Sequence, residues 1–146
     1  MKKAFKEALE KKKIFHFSKA KDLVDKELKV AFDDLSEAKD RFKNERYKYA
    51  TINAYYATFH AARALLFSKG YRERSHYALY IAIEALFVET GILEKRYSHI
   101  LKDSMSLRED ANYGGEFSKD GASLSINNAE EFIKKTKEIL KKDLLF

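Results

Sequence analysis

Apolar residues recur every three or four positions along most of this chain, which is the repeat of an α-helix. Leu28, Phe32, Leu35, Ala38 and Phe42 mark one face of a predicted helix from about Asp22 to Lys43. Asp22 is its expected N-cap, Asp25 lies near the positive end of the helix dipole, and Asn44 interrupts it. The next predicted helix, Glu45 to Lys69, carries two adjoining stripes: Tyr49, Ile52, Tyr56, Phe59, Arg63 and Leu66, then Tyr55, Thr58, Ala62 and Leu65. So wide an apolar surface predicts contact with more than one neighbour. Thr58 within it is expected to bond back to a helix carbonyl, and Gly70 to stop the helix.

Ser75 is placed to cap a helix over His76 to Glu89, with Leu79, Ile83 and Phe87 inward and Thr90-Gly91 at its end. A further helix from Leu93 to Tyr113 has Tyr97, Leu101, Met105, Arg108 and Asn112 on one stripe and stops at Gly114-Gly115. Residues Glu116 to Ser125 read as a loop with an Asp120-Gly121 turn. The last helix is expected from Asn128, where Asn128 and Glu131 have capping-box spacing, with Phe132, Thr136 and Leu140 inward. Lys2 to Phe17 reads as a short basic amphipathic helix or a loose arm, so residues 1–20 form a basic N-terminal arm.

Short connections make successive helices pack antiparallel. The predicted fold is therefore all-α: an up-and-down antiparallel bundle of four main helices with additional terminal helical segments, in one domain over residues 1–146. The absence of proline agrees with long helices.

Composition narrows the function classes. With no cysteine, disulfides and thiolate metal sites are excluded. No apolar run reaches the roughly 20 residues that span a bilayer, and Met1 to Lys13 is charged throughout, unlike a signal peptide. The expectation is a cytoplasmic protein without membrane contact. A net charge of +6 favours an anionic partner such as RNA or a nucleotide, although lysine-rich solvated helices give the same count.

Arg108 is the sharpest chemical candidate. It shares a stripe with Leu101 and Met105, so it points inward, where an unpartnered guanidinium is costly. Either it is a structural ion-pair partner, or its planar fork of donors grips phosphate. Asn112 lies one turn further on the same face, and Tyr113 more than a quarter-turn away. His60 and Arg63 are neighbours on their helix; His76, at a helix start, reads as structural, and His16 and His99 have no supporting cluster. No histidine has metal-ligand spacing, and no phosphate-binding glycine loop or nucleophile elbow occurs, so neither metal nor cofactor is expected.

The run Tyr55-Tyr56-Ala57-Thr58-Phe59-His60-Ala61-Ala62-Arg63-Ala64-Leu65-Leu66 resembles the central helix of HEPN domains. Gly70 and Ser75-His76 fall where such proteins begin their next helix, and Leu107-Arg108-Glu109-Asp110-Ala111-Asn112-Tyr113 resembles their Arg motif. The resemblance covers about Asp22 to Leu140. It implies a helical bundle that dimerises across the cleft holding the Arg motif, often beside an MNT-type nucleotidyltransferase as toxin and antitoxin. Active members are metal-independent ribonucleases in which a His follows the Arg four to six residues on. Here Tyr113 and then Gly114 and Gly115 occupy those places. Tyrosine, with a free pKa of about 10, is a poor proton acceptor. The resemblance thus implies an RNA or nucleotide site of Arg108, Asn112, Tyr113, Arg63 and Tyr56 with little or no cleavage. The alternatives are a non-catalytic module binding the nucleotidyltransferase, or a ribonuclease in which Arg108 works with His60 or Tyr113.

Overall fold

The computed structural model describes residues 2–144, with side chains as far as Lys141. In chain order its elements are α1 (Lys2–Glu10), β1 (Ile14–His16), a 3₁₀ turn (Lys21–Leu23), α2 (Val24–Lys43), α3 (Tyr47–Ser68), β2 (Tyr71–Glu73), α4 (His76–Ile83), a π-helical turn (Glu84–Val88), α5 (Lys95–Tyr113) and α6 (Lys119–Leu144).

Side-chain pairs give the helix directions. Between α2 and α3, Phe42 meets Tyr47, Asp34 meets Asn53, and Glu27 meets His60; the pairs step in opposite senses, so the helices are antiparallel. Lys39 with Glu130 and Phe32 with Lys137 give the same relation for α2 and α6. At one end of α5 and α6, Tyr97 packs on Phe132; at the other, Leu107 and Gly121 border one hollow. The expected up-and-down bundle is formed by α2, α3, α5 and α6, with α4 beside them.

The middle of the bundle is α3, which packs against α2, α5 and α6. Ala50, Ala54, Ala57, Ala61 and Ala64 fall about one per turn and are at most 1% exposed. Alanine costs nothing in side-chain entropy and is the best helix former, and its small size lets neighbouring backbones come close. Ala31 and Ala38 answer from α2. Larger side chains on the other faces, Tyr55, Leu65, Leu66 and Phe67, fill the wider gaps. The expected multi-sided burial of this helix is therefore met. Thr58, however, finds no partner for its buried Oγ1 among the described residues; it is Thr51 that bonds back, to Tyr47 O at 2.9 Å.

Three further expectations are corrected. Asp22 does not cap α2: the 3₁₀ turn runs straight into the helix, with Leu23 at the cap position and no side-chain cap bond. Residues 119–127 are helix, not loop. Ser118 starts α6 by accepting from Gly121 N at 2.9 Å through Oγ and from Ala122 N through its carbonyl. The buried stripe Ala122, Ser125, Ile126, Ala129 and Ile133 then continues without a break, so Asn128 lies in the helix interior and caps nothing. That stripe is built of small residues, so its hydrophobic signal is weak. Third, the N-terminal arm is not wholly helical. After α1, Lys12 turns at φ +57°, and β1 pairs antiparallel with β2, Ile14 opposite Glu73, Phe15 opposite Arg72 and His16 opposite Tyr71. Gly70, at φ +83°, makes the reversal from α3 into β2.

The α4 helix starts as expected, with Ser75 Oγ accepting from Ala78 N at 3.0 Å. It widens at its end, where Glu89 N reaches back five residues to Glu84 O. Glu84 is buried there and accepts from Ser98 Oγ at 2.7 Å.

Close approach around α3 makes the alanine positions intolerant of bulk. Ala57→Leu is expected to lower unfolding free energy by about 1–3 kcal/mol. Urea denaturation measures it, and a stability equal to wild type would show that the helices are not held this close.

Candidate functional site

Arg108 projects from α5 into the bundle and is 8% exposed. Its guanidinium lies 5.1 Å from the Tyr55 ring centre and 5.8 Å from that of Tyr113. Among the described residues no carboxylate forms an ion pair with it, and its Nε is buried without a hydrogen-bond partner. Ring contact offsets about 2 kcal/mol for a desolvated cation, well short of what a buried charge costs unpaired. The site is thus a fixed cation short of an anion.

Tyr55 links Arg108 to a histidine. Its hydroxyl lies 2.6 Å from His76 Nδ1, and the His76 ring packs on Phe59 as well, at 4.7 Å between centres. Burial, and next the Arg108 charge, push the His76 imidazole below its ordinary 6.5, so it is neutral at pH 7. Burial raises the Tyr55 phenol, which keeps its proton. Tyr55 is 1% exposed and His76 is the partner its hydroxyl has, so the hydroxyl donates and Nδ1 accepts. The imidazole proton then sits on Nε2, making His76 a second donor beside Arg108.

The other histidine and arginine of the central helix do different work. His60 Nδ1 is 2.6 Å from Glu27 Oε2 and its Nε2 is 3.9 Å from Asp34 Oδ2, so His60 ties α3 to α2. No contact joins it to Arg108 among the described residues; Phe59 touches both the His60 and His76 rings. Arg63 is neutralised by Glu73, with Nη2 at 2.6 Å and Nε at 3.1 Å from Oε2, and has Glu27 at 3.8 Å on its far side. Glu73 is buried, so this pair anchors β2 on α3. Tyr56 is half-buried with its ring against Tyr55 and His60. Tyr113 is 77% exposed yet reaches Arg108 from the end of α5, while Asn112 is exposed and away from the buried face.

Of the residues singled out from sequence, then, Arg108 and Tyr113 come together, Tyr56 borders them through Tyr55, and His60, Arg63 and Asn112 stand apart. Sequence reasoning read Tyr55 only as part of an apolar stripe and His76 as structural, and no local signal pairs residues twenty-one positions apart. Beyond His76 lies an open cleft of about 480 Å³, lined by Arg63, Glu73, Arg72, Arg74, Phe15 and Phe17, with Ser75 and His76 at its border. Among the described residues no three metal-binding side chains converge.

His76 carries a pH dependence. Its native pKa is lowered, so between that value and 6.5 the unfolded chain binds more protons, and stability falls as pH drops through this window. Melting temperatures followed below pH 6.5 are expected to fall less in His76→Gln than in wild type; identical slopes would show that His76 is not held neutral.

Comparison with known proteins gives consistent matches. The HEPN domain model matches residues 24–144. A Methanocaldococcus jannaschii protein named "putative toxin" is 35% identical over 118 residues, covering 80% of this chain and 88% of its own length. UPF0332 proteins of Archaeoglobus fulgidus and Thermotoga maritima are 32% identical over 111 residues and 33% identical over 101 residues. These alignments cover 75% and 68% of this chain, and 88% and 76% of the relatives. With a bundle of the kind its central helix implied and a family match over most of its length, the chain belongs to the HEPN domain family.

Proposed function

We propose that this chain is a toxin-type HEPN protein that binds RNA or a nucleotide at Arg108, with phosphate as the recognised group. The observation that carries the reading is the buried Arg108 guanidinium with aromatic rings beside it and no carboxylate partner among the described residues. A structural arginine in the same protein looks different: Arg63 is closed off by Glu73. His76 Nε2–H supplies a neutral donor next to Arg108, and exposed Tyr113 offers a ring face for a base or ribose.

This donor set is built for binding rather than cleavage. A ribonuclease of the metal-independent kind needs a base for the 2′-hydroxyl proton. Tyr113 is a phenol, and the His76 nitrogen able to accept a proton is occupied by Tyr55. Residual cleavage is therefore weak, and a toxin role rests on sequestering RNA or a nucleotide in the cytoplasm. Support for the toxin setting comes from the name of the M. jannaschii relative, and an MNT-type nucleotidyltransferase is the proposed antitoxin. In such a pair the chain also serves as the nucleotidyltransferase's binding partner.

The protein is further proposed to act as a homodimer. Phe117, just before α6, and Leu124, in its second turn, are both more than half exposed. An isologous contact over that face sets the two Arg108 sites side by side about the dyad. Sedimentation equilibrium is expected to give twice the chain mass at micromolar concentration; a monomer throughout that range removes the dimer from the reading.

Arg108→Lys tests the central claim. Lysine keeps the charge and loses the planar fork. Binding of a single-stranded oligoribonucleotide or of a mononucleotide is expected to weaken about tenfold or more, equivalent to roughly 1.5–3 kcal/mol for a lost charge-assisted bond, with little change in melting temperature. A lowered melting temperature with intact binding would make Arg108 a structural residue and end the phosphate reading.

A further inference from the structure

The cleft beside His76 has a composition that the Arg108 site does not account for. It is lined by the β1–β2 ribbon, with Arg72 in the second strand and Arg74 just beyond its end both at the cleft. Neither has a carboxylate ion-pair partner among the described residues. Each instead lies over a phenylalanine from the N-terminal segment: Arg72 is 5.2 Å from the Phe17 ring centre, and Arg74 is 4.5 Å from that of Phe15. Stacking fixes the plane of a guanidinium and leaves its edge donors free. Arg63 and Glu73 also line the cleft but cancel each other, so its formal charge is that of two unpaired arginines. Ser75 caps α4 at the cleft's border, which brings the positive end of that helix to the same opening.

Resting on the reading of Arg108 as an RNA site, we propose that the Arg72–Arg74 cleft is a second phosphate subsite, holding the backbone of a single-stranded RNA whose neighbouring phosphate lies at Arg108. His76 joins the two. One side of it belongs to the cleft and the other is bonded to Tyr55, against which Arg108 rests. A strand crossing from one site to the other passes His76 Nε2–H. The half-buried Phe15 and Phe17 rings and the exposed Tyr113 ring give unstacked bases apolar surface on the way. A volume of about 480 Å³ suits a nucleotide-sized group, and the cleft's openness to solvent suits a chain that enters and leaves. The N-terminal segment thereby gains a function. It lies outside the residues matched by the HEPN domain model, 24–144, and it brings both phenylalanines to the cleft.

The test uses the full chain and a labelled single-stranded oligoribonucleotide, with affinity measured by fluorescence anisotropy over a range of salt concentrations. Each single-strand phosphate contact contributes about 0.7 to the slope of log affinity against log salt. Arg72→Gln with Arg74→Gln is expected to weaken binding about tenfold or more and to reduce the slope by about 1.4. Arg74 is exposed, so Arg74→Gln alone leaves the fold intact and is expected to reduce the slope by about 0.7. Wild-type affinity and slope in both variants, while Arg108→Lys still weakens binding, would overturn the second subsite and leave the Arg108 site standing. A wild-type chain that binds no oligoribonucleotide overturns both. Tighter binding of labelled poly-glutamate than of RNA, lost in the double variant, would assign the cleft to an acidic protein and overturn the proposal.

Discussion

The closeness of α3 to its neighbours is the constraint from which the rest of the architecture follows. Alanine on one face at nearly every turn lets α2 and α6 approach, and this leaves the helix buried along most of its length. A helix buried on so many sides must dispose of every polar side chain it carries. Thr51 does so locally, by bonding to its own helix. His60 and Arg63 do so by recruiting carboxylates from other elements, Glu27 and Asp34 from α2 and Glu73 from β2. Those carboxylates fix where α2 and β2 lie. The Glu73 anchor in turn sets the β ribbon, and with it the positions of Arg72, Arg74 and the start of α4.

Four arginines around this region show how pairing separates structure from chemistry. Arg63 makes a forked contact to a buried carboxylate through Nε and Nη2 and has Glu27 3.8 Å from Nη1, so its charge is already met. Arg108, Arg72 and Arg74 meet rings instead. A ring face orients a guanidinium and partly offsets its desolvation, but it leaves the charge uncompensated. With burial so different between Arg108 and Arg74, the shared feature is the lack of a carboxylate and not the depth. A positive charge concentrated in this way has an anion as its natural complement.

Much of the bundle was legible because long helices repeat the same constraint many times. The stripes over α2, α3 and α5 carry large apolar residues, and glycine ends α3 and α5, so these elements and their order could be read. Arg108 was legible too, since a charge on an apolar stripe stands out against the 3.6-residue period. What escaped was short, or written in small residues. Strands of three residues complete only one and a half side-chain alternations, too few for a pattern, and β1 and β2 are brought together by a buried Ile14 and by Glu73 rather than by any local signal. The first two turns of α6 are faced with Ala122, Ser125 and Ile126, a stripe whose hydrophobicity is hardly above that of a loop, and Gly121 and Asp120 argued for a turn. Tyr55 and His76 were out of reach for another reason: twenty-one residues separate them, and no periodicity relates one helix to the start of the next.

Their hydrogen bond decides what kind of site this is. Had Tyr55 another acceptor for its proton, His76 could carry its own proton on Nδ1 and offer Nε2 as a base, giving the bundle a histidine to replace the one its Arg motif lacks. Tyr55 is enclosed, and its phenol is held protonated by burial. Its proton therefore goes to Nδ1, and the imidazole is committed to the tautomer that donates from Nε2. Protonating Nδ1 to free the hydroxyl would charge a half-buried ring and set a second cation near Arg108, and burial first and then the Arg108 charge hold the His76 pKa down. Tyr55, whose ring meets Arg108, thus also removes the proton acceptor that His76 Nδ1 would offer. With the Tyr55 hydroxyl spent on Nδ1, the donors this arrangement leaves are the Arg108 guanidinium and His76 Nε2–H, a set suited to holding an anion and not to taking up a proton.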